Sequence, residues 1–184
     1  KKLMLSATYQ QASQHPLQDA YAESDPGNQL WWRYSRHRLD AEAIRDTMLS
    51  VAGLLDLQLG GPSFHPHISP EALEGLSKKD EAWEESPAED RWRRSIYMFT
   101  KRALLPPVMT TFDFCDTTQP CGQRDITTVP TQALALLNNG FVHEMSDALA
   151  ERVQGEAADD LYQQANRAWR LTLGRYPKST ELQA

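Results

Sequence analysis

The sequence predicts a mainly α-helical protein: an irregular helical domain with long loops, an antiparallel helical bundle at its C-terminal end and at most a short strand near residues 94–99. Three observations lead to this prediction. Apolar residues recur at helical spacing in several stretches. Proline and glycine mark helix starts and ends. The connections between the last three helices are short, which is typical of antiparallel neighbours.

Size and composition limit the classes of function that the chain can have. It has 184 residues, of which 40% are hydrophobic, and this indicates a globular chain rather than a disordered one. The formal net charge of −6 argues against nucleic acid as a partner, because phosphate binding requires a concentrated basic face. No apolar run approaches the roughly 20 residues that a membrane-spanning helix needs.

We interpret residues 1–184 as one domain with three parts. These are an N-terminal helical part at 1–57, a loop and acidic linker at 58–93, and a strand, a loop and helices at 94–184. The first residues of the chain resemble the middle of a helix, and the last residues resemble the start of one. We therefore expect flanking parts of the domain on either side of this segment.

The N-terminal part is expected to begin with a short helix over residues 3–12. Residues 13–29 are polar and contain Pro16, Pro26 and Gly27, a composition that predicts a loop.

The clearest helix begins at Asp40, a good N-cap residue, and runs to Leu55. Apolar residues at helical spacing are expected to face the core, namely Ile44, Met48, Val51 and Leu55. The charged residues Glu42, Arg45 and Asp46 lie off this stripe. They indicate either a polar site or a set of solvated or buried structural pairs.

The linker between residues 58 and 93 has no helical periodicity. Gly60-Gly61-Pro62 and His65-Pro66-His67 are typical of turns, and neither segment matches a phosphate-binding loop. Residues 78–90 are strongly acidic, which predicts an exposed helix or a mobile linker.

The best strand candidate is Arg94–Phe99, because its last four residues are bulky and favour β structure. A double proline, Pro106-Pro107, then prevents a helix from running through.

A loop that carries several carboxylates follows the double proline. Asp113, Asp116 and Asp125 lie within thirteen residues, so they are candidates for calcium binding or for an acid/base pair. The alternative is that Asp113 and Asp125 cap turns and pair with Arg124 or Arg94.

Three helices are predicted at the C-terminal end. Pro130 opens the first, and Asn138-Asn139-Gly140 is expected to end it through a left-handed cap. The second has a stripe of Phe141, Met145, Leu149 and Val153. The third runs from about Ala158 to Leu173 and ends at Gly174, with its core face formed by Leu161, Ala165, Ala168, Trp169 and Thr172.

Several motifs, in this order, resemble the planctomycete cytochrome-associated PSD family, whose function is uncharacterised. They are SRHRLDAEAIRD at 35–46, GGPS at 60–63, RSIY at 94–97, FD at 112–113, TQAL at 131–134, LNN at 137–139, FV at 141–142 and LGRYP at 173–177. The resemblance covers essentially the whole chain.

The resemblance implies a context rather than a mechanism. Relatives are large exported proteins that often carry a c-type cytochrome-like module, which implies an extracytoplasmic location and partners among the other domains of the same polypeptide. Any haem would then belong to a linked module. Spacing alone leaves Cys115 and Cys121 open as thiols or as a disulfide, and an oxidising exterior favours the disulfide.

The family supplies no established catalytic residue. Its motif residues are candidates for a shared polar site, namely Arg36, Arg38, Glu42, Arg45, Asp46, Asp113, Arg124 and Asp125. The favoured function is a non-catalytic scaffold or interaction module. The alternatives are a polysaccharide-binding or polysaccharide-processing domain that uses these residues, and a structural domain stabilised by calcium at Asp113, Asp116 and Asp125.

Overall fold

Helices and loops make up the computed structural model, which describes residues 1–73, 83–102, 104–157 and 160–182. The described residues contain isolated β-bridges but no sheet, so the predicted mainly α fold is confirmed. None of the described helices is long and apolar enough to span a bilayer. The helices are α1 (Gln18–Ser24), α2 (Ala41–Ala52), α3 (Pro70–Leu73), α4 (Ala88–Arg91), α5 (Pro107–Thr111), α6 (Pro130–Asn138), α7 (Gly140–Ala157) and α8 (Leu161–Leu173).

The chain divides after Arg38 into two units, Lys1–Arg38 and Leu39–Ala184. This boundary falls earlier than either of the internal boundaries expected at 57 and 93.

The first unit corrects two expectations. Residues 3–12 form successive turns instead of a helix, and residues 13–29, expected to be a loop, contain α1. Leu3 and Leu5 are largely exposed, and a short helix without an apolar surface to pack against is marginal in water. Within this unit, the carboxylate of Asp25 accepts hydrogen bonds from the backbone N–H groups of Gln29 and Leu30.

Helix α2 is the centre of the second unit and contacts α5 and α7. Its first turn enters one apolar cluster through Ala41, and its last two turns enter another through Leu49 and Ala52. The first cluster contains Ala41, Phe64, Met98, Val108, Met109 and Phe112. The second joins Leu49 and Ala52 to Met145 of α7.

The buried face of α2 differs from the predicted one. Its fully buried residues are Ala41, Arg45, Leu49 and Ala52, whereas Ile44, Met48, Val51 and Leu55 are only half-buried. The observed buried face is therefore shifted by one residue from the predicted face, and it includes an arginine. Asp40 precedes the helix as predicted, but its side chain makes no capping hydrogen bond.

The end of α2 is fixed by Gly53, which has φ +83°. A left-handed backbone is unfavourable for residues with a Cβ, and Arg152 of α7 would approach that Cβ to 3.3 Å. Arg152 Nη1 also donates to the carbonyl oxygens of Ser50 and Val51. The C-terminal carbonyls of α2 are thus bound by a side chain of α7.

No strand forms over residues 94–99. Ser95–Tyr97 is a 3₁₀ turn, and Met98 makes an isolated parallel bridge with Phe64. The bulky, β-favouring side chains of this segment do not determine its conformation. Ile96 is largely exposed, and the N–H of Ser95 donates to the carboxylate of Asp46 in α2 instead of to a neighbouring strand.

The junction between α6 and α7 also differs from its prediction. Asn139 has extended backbone angles (φ −81°, ψ 128°), not the left-handed conformation expected of a C-terminal cap. Its Oδ1 accepts a 2.9 Å hydrogen bond from the N–H of Phe141, so Asn139 caps the start of α7.

The C-terminal helices otherwise follow the sequence prediction. Met145 and Val153 of α7 are buried, α8 packs against α7, and Gly174 ends α8 in a left-handed conformation. Three details differ. Leu161 and Thr172, both predicted to face the core, are exposed. Helix α8 begins at Leu161, whereas its predicted start at Ala158 lies outside the described residues. Residues 78–82 of the predicted acidic segment also lie outside them.

Candidate functional site

The second unit contains a pocket of about 610 Å³, here called the Arg45 pocket. Its wall combines helix starts, a proline corner and charged side chains. It is lined by Arg45, Pro66, His67, Ser69, Glu85, Arg91, Trp92, Pro106, Pro107, Val108, Asn138, Asn139, Gly140, Phe141 and Glu144.

Arg45 is the most unusual residue of this wall, because it is only 5% exposed. Its Nη1 donates to the carbonyl oxygen of Arg93 at 3.1 Å and to Ser95 Oγ at 3.2 Å, and its Nη2 donates to the carbonyl oxygen of Arg91. The guanidinium fork therefore binds three acceptors of one segment. Such burial is tolerated because these donors are satisfied.

Burial lowers the pKa of Arg45 to about 10, and the nearby carboxylates of Asp46 and Glu144 oppose this shift. The guanidinium therefore stays charged at neutral pH. Its charge is also stabilised by two aromatic rings, since Cζ lies 5.1 Å from the ring centroid of Phe64 and 5.5 Å from that of Phe141. Arg45 connects the two apolar clusters of the fold.

Asp46 completes the attachment of α2 to the 3₁₀ turn. Its Oδ1 accepts from the backbone N–H of Ser95 at 2.8 Å and from Ser95 Oγ at 2.6 Å. The hydroxyl of Ser95 thus lies between Arg45 and Asp46, whose charged groups are 3.6 Å apart. These three residues form a polar network in which Ser95 is bonded to both charged side chains.

A second network binds the Gly60-Gly61-Pro62 turn. Arg93 is buried, and its guanidinium donates to the carbonyl oxygens of Gly60 and Pro62. The hydroxyl of Tyr97 accepts a 2.8 Å hydrogen bond from the N–H of Gly60, which lowers the pKa of Tyr97. Both glycines have positive φ, +75° at Gly60 and +88° at Gly61, a backbone conformation that residues with a Cβ rarely adopt.

Glu42 and Arg124 form a third connection, between α2 and the loop before α6. Their two hydrogen bonds, of 2.6 and 2.7 Å, have the bidentate geometry of a strong arginine–carboxylate pair. Arg124 hydrogen bonding lowers the pKa of Glu42, and Glu42 raises that of Arg124. The guanidinium also lies 5.2 Å from the ring centroid of Phe114.

Asp113 belongs to a fourth network, at the start of α6. It has φ +59°, and its carboxylate accepts hydrogen bonds from the N–H and the hydroxyl of Thr127. Buried Gln132 donates to Thr127 Oγ1 and to the carbonyl oxygen of Thr111. Asp113 therefore caps the turn into α6, which is the alternative that the sequence left open for it, although its observed partner is Thr127.

Within the pocket, Glu85, His67 and Arg91 form a chain of contacts. Glu85 binds His67 Nδ1 through one oxygen and Arg91 Nη1 through the other, both at 2.7 Å. Glu144, at the start of α7, faces the same pocket and lies close enough to Arg45 to raise its pKa.

The structure brings together only part of the predicted polar site. Arg45 with Asp46, and Glu42 with Arg124, are joined in pairs, but of all eight candidates only Arg45 lines the pocket. Asp125 is exposed, and exposed Arg36 and half-buried Arg38 belong to the first unit.

The three calcium candidates do not converge. In the part of the chain that is described, no group of three or more His, Cys, Asp or Glu residues has an arrangement that holds a metal. One oxygen of Asp116 accepts from the N–H of Thr118, and Asp113 binds Thr127.

Cys115 and Cys121 are free thiols. A hydrogen bond between their side chains raises the pKa of Cys121, so the two sulfurs are neighbours. The predicted disulfide between them stays a prediction.

Sequence reasoning missed several residues of these networks. Arg93, Ser95 and Gln132 are buried polar residues. Ser95 lies in the RSIY motif, Gln132 lies in the TQAL motif and Arg93 directly precedes RSIY, so the motifs were the sequence signal that could have identified them. Glu85, Arg91 and Glu144 come from three separate segments with no shared motif, so only the tertiary structure identifies them.

The model of the family PSD1, described as proteins of unknown function (DUF1553), matches residues 1–184. No match was found among curated proteins or among solved structures.

Proposed function

The chain belongs to PSD1, a family of proteins of unknown function (DUF1553), and we propose that it serves as a non-catalytic scaffold and interaction module. In this proposal it is part of an extracytoplasmic multidomain protein linked to a c-type cytochrome. The observation that carries the non-catalytic role is the use of Arg45, whose guanidinium binds backbone carbonyls of the chain itself.

Four other motif residues, Asp46, Glu42, Arg124 and Asp113, support the same role because their partners are also internal. Asp46 binds Ser95, Glu42 binds Arg124 and Asp113 binds Thr127. The first two contacts join α2 to residues 49 and 82 positions away in the sequence, and the third joins two loop residues 14 positions apart. Buried polar networks of this kind fix one arrangement of loops when every member is satisfied.

Exposed apolar side chains on α6 support the interaction part of the proposal. Leu134 is 55% exposed and Leu137 is 68% exposed, and residues three apart share one face of a helix. Ile126, in the preceding loop, is also largely exposed. Exposed apolar groups close to one another are typical of protein–protein contacts, and another domain of the same polypeptide is the proposed partner.

The polysaccharide-processing alternative loses the residues on which it depended. It required Glu42, Asp113 and Asp125 in a common cleft, with carboxyl groups about 5–10 Å apart. Glu42 is held by Arg124, Asp113 is held by Thr127, and none of the three lines the Arg45 pocket.

The test of the proposal is binding between this chain and the remainder of the polypeptide, including its cytochrome module, produced separately. The variant Leu134→Ser/Leu137→Ser changes only exposed side chains of α6. We expect it to weaken the association measured by calorimetry by at least tenfold, the equivalent of about 1.4 kcal/mol. The matched control is Leu161→Ser/Leu173→Ser, which changes two exposed leucines of α8.

Equal binding of the α6 variant and the wild type would overturn the proposed surface. Turnover of a polysaccharide by the isolated chain would overturn the non-catalytic role.

A further inference from the structure

The Arg45 pocket has a size and a composition that the scaffold role does not use. Its volume of about 610 Å³ lies within the range typical of small-molecule sites. Trp92, Phe141 and Pro107 contribute apolar surface to its wall, while Glu144 and His67 contribute polar groups. Such a mixture of flat apolar surface and polar groups suits a ligand that has both kinds of face.

The charges of the wall determine the charge of that ligand. Arg45 and Arg91 carry two positive charges, and Glu85 and Glu144 carry two negative ones, so their formal sum is zero. A charged ligand of either sign would meet two like charges. A purely apolar ligand would remove water from charged groups without replacing its hydrogen bonds, which is costly. The ligand that fits is neutral and rich in hydrogen-bonding groups.

Several polar groups of the wall have unused hydrogen-bonding capacity. Glu144 makes no hydrogen bond or ion pair to the described residues, and Asn139 uses its Oδ1 on Phe141 while its Nδ2 makes no such bond. His67 binds Glu85 through Nδ1, which leaves Nε2 for a ligand. Hydroxyl groups both donate and accept, so they match a wall that presents acceptors and donors side by side.

We propose that the Arg45 pocket binds a neutral saccharide, in the size range of one or two sugar units. Glu144 and His67 bind hydroxyl groups, and the apolar surface that includes Trp92 covers a C–H face of the sugar. Binding involves no bond breakage. It does not depend on the proposed scaffold role, and it uses none of the carboxylates that the sequence suggested for polysaccharide.

The experiment is a titration of the ¹⁵N-labelled chain, followed by NMR, with the neutral disaccharides maltose, cellobiose and lactose at millimolar concentrations. Glucuronic acid and glucosamine serve as charged comparisons. The indole N–H of Trp92 and the amide N–H of Gly140 report on the pocket. Cellohexaose, compared with cellobiose, distinguishes a site for an internal unit of a polysaccharide from a site for a free sugar.

Two pairs of variants make the test specific. Glu144→Gln keeps the shape of the wall and removes a charged acceptor, and Glu151→Gln changes an exposed glutamate of the same helix outside the pocket. His67→Ala has a matched control in His143→Ala, an exposed histidine outside the pocket. We expect Glu144→Gln to weaken binding about tenfold and both controls to leave it unchanged.

The proposal is supported if a neutral disaccharide shifts the Trp92 and Gly140 signals and the two pocket variants weaken this effect. It is overturned if no disaccharide of the panel shifts these signals, if a charged sugar binds more tightly than the neutral ones, or if Glu144→Gln and His67→Ala bind as the wild type does.

Discussion

Nη1 of Arg45 donates a 3.1 Å hydrogen bond to the carbonyl oxygen of Arg93, a residue 48 positions later in the chain. Through this bond, and through the bonds to Ser95 and to the carbonyl oxygen of Arg91, one side chain of α2 fixes the segment between α4 and the 3₁₀ turn. A single parallel bridge to Asp56 pairs the carbonyl oxygen of Trp92, and the buried guanidinium pairs the carbonyl oxygens of Arg91 and Arg93 on either side of it.

Replacing Arg45 by alanine is expected to lower the free energy of unfolding by about 3–5 kcal/mol. The substitution leaves buried carbonyl groups unpaired and removes the cation from between Phe64 and Phe141. Arg45→Lys is also expected to destabilise, since an ammonium group does not reproduce the planar fork. Urea unfolding measures both effects.

The control for this prediction is Arg36→Ala, which removes an exposed arginine and is expected to change the unfolding free energy by less than about 0.5 kcal/mol. Similar values for the Arg45 and Arg36 variants would contradict the structural role of Arg45.

Asp46 and Ser95 are expected to be energetically coupled. One carboxylate oxygen of Asp46 accepts from both the N–H and the hydroxyl of Ser95. A double-mutant cycle with Asp46→Asn and Ser95→Ala should therefore give a coupling free energy of about 0.5–3 kcal/mol in chemical unfolding. Strictly additive effects would show that the two side chains act independently.

The sequence is sufficient to predict helices where start and stop signals are local. Pro130 at the start of α6 and Gly174 at the end of α8 act within one turn of the backbone, so their effects are visible in short stretches. The sequence correctly predicts that α6 ends at Asn138-Asn139-Gly140, but the predicted left-handed cap is wrong. An asparagine supports either a left-handed cap or an N-terminal cap, and the immediate start of α7 selects the second.

The buried face of α2 is not predictable from an apolar stripe. An apolar stripe leaves out arginine by definition, so it contains Ile44 and Met48 and excludes Arg45. Arg45 is buried because its partners come from residues 91–95, and nothing near α2 in the sequence reveals them.

The candidate polar site was predicted as one cluster, but the structure joins four of its members in two pairs. A motif in the sequence identifies residues that make structural contacts, but it does not identify the residues they contact. Glu42 and Arg124 are 82 residues apart and were both identified, but as members of a shared site rather than as each other's partner. The pocket residue Glu85 lay in a stretch predicted only as an exposed helix or acidic linker, and Glu144 belongs to none of the motifs, so neither was predicted to line a site.

The Glu42–Arg124 pair is expected to make stability depend on pH on the acid side. The pKa of Glu42 is lowered in the folded protein, so its contribution is present above the pKa of the unfolded chain and is lost as the pH falls through the folded value. The pair is partly exposed, so this contribution is only about 0.5–1 kcal/mol at pH 7.

The measurement is the difference in unfolding free energy between the wild type and Glu42→Gln at several pH values. This difference should be largest near neutral pH and should shrink below about pH 4. Glu151→Gln, at an exposed position of α7, is the control and should show no such trend. A wild-type advantage over Glu42→Gln that is the same at pH 7 and pH 3 would contradict the assignment.

Cys115 and Cys121 are expected to form a disulfide when the protein is made in an oxidising compartment, as the proposed extracytoplasmic location requires. The sulfur atoms are neighbours, and the hydrogen bond with Cys115 raises the pKa of Cys121. The thiolate is the reactive form, so air oxidation of the reduced protein should be slow at neutral pH and should accelerate as the pH rises.

Thiol titration of the secreted and of the reduced protein measures this directly, with Cys121→Ser as the control that cannot form the bond. We expect the secreted wild type to show no free thiol and to melt at a lower temperature after reduction, because opening the loop restores entropy to the unfolded chain. The melting temperature of Cys121→Ser should not respond to reductant. Two free thiols in the secreted protein would contradict the disulfide and weaken the extracytoplasmic proposal on which it depends.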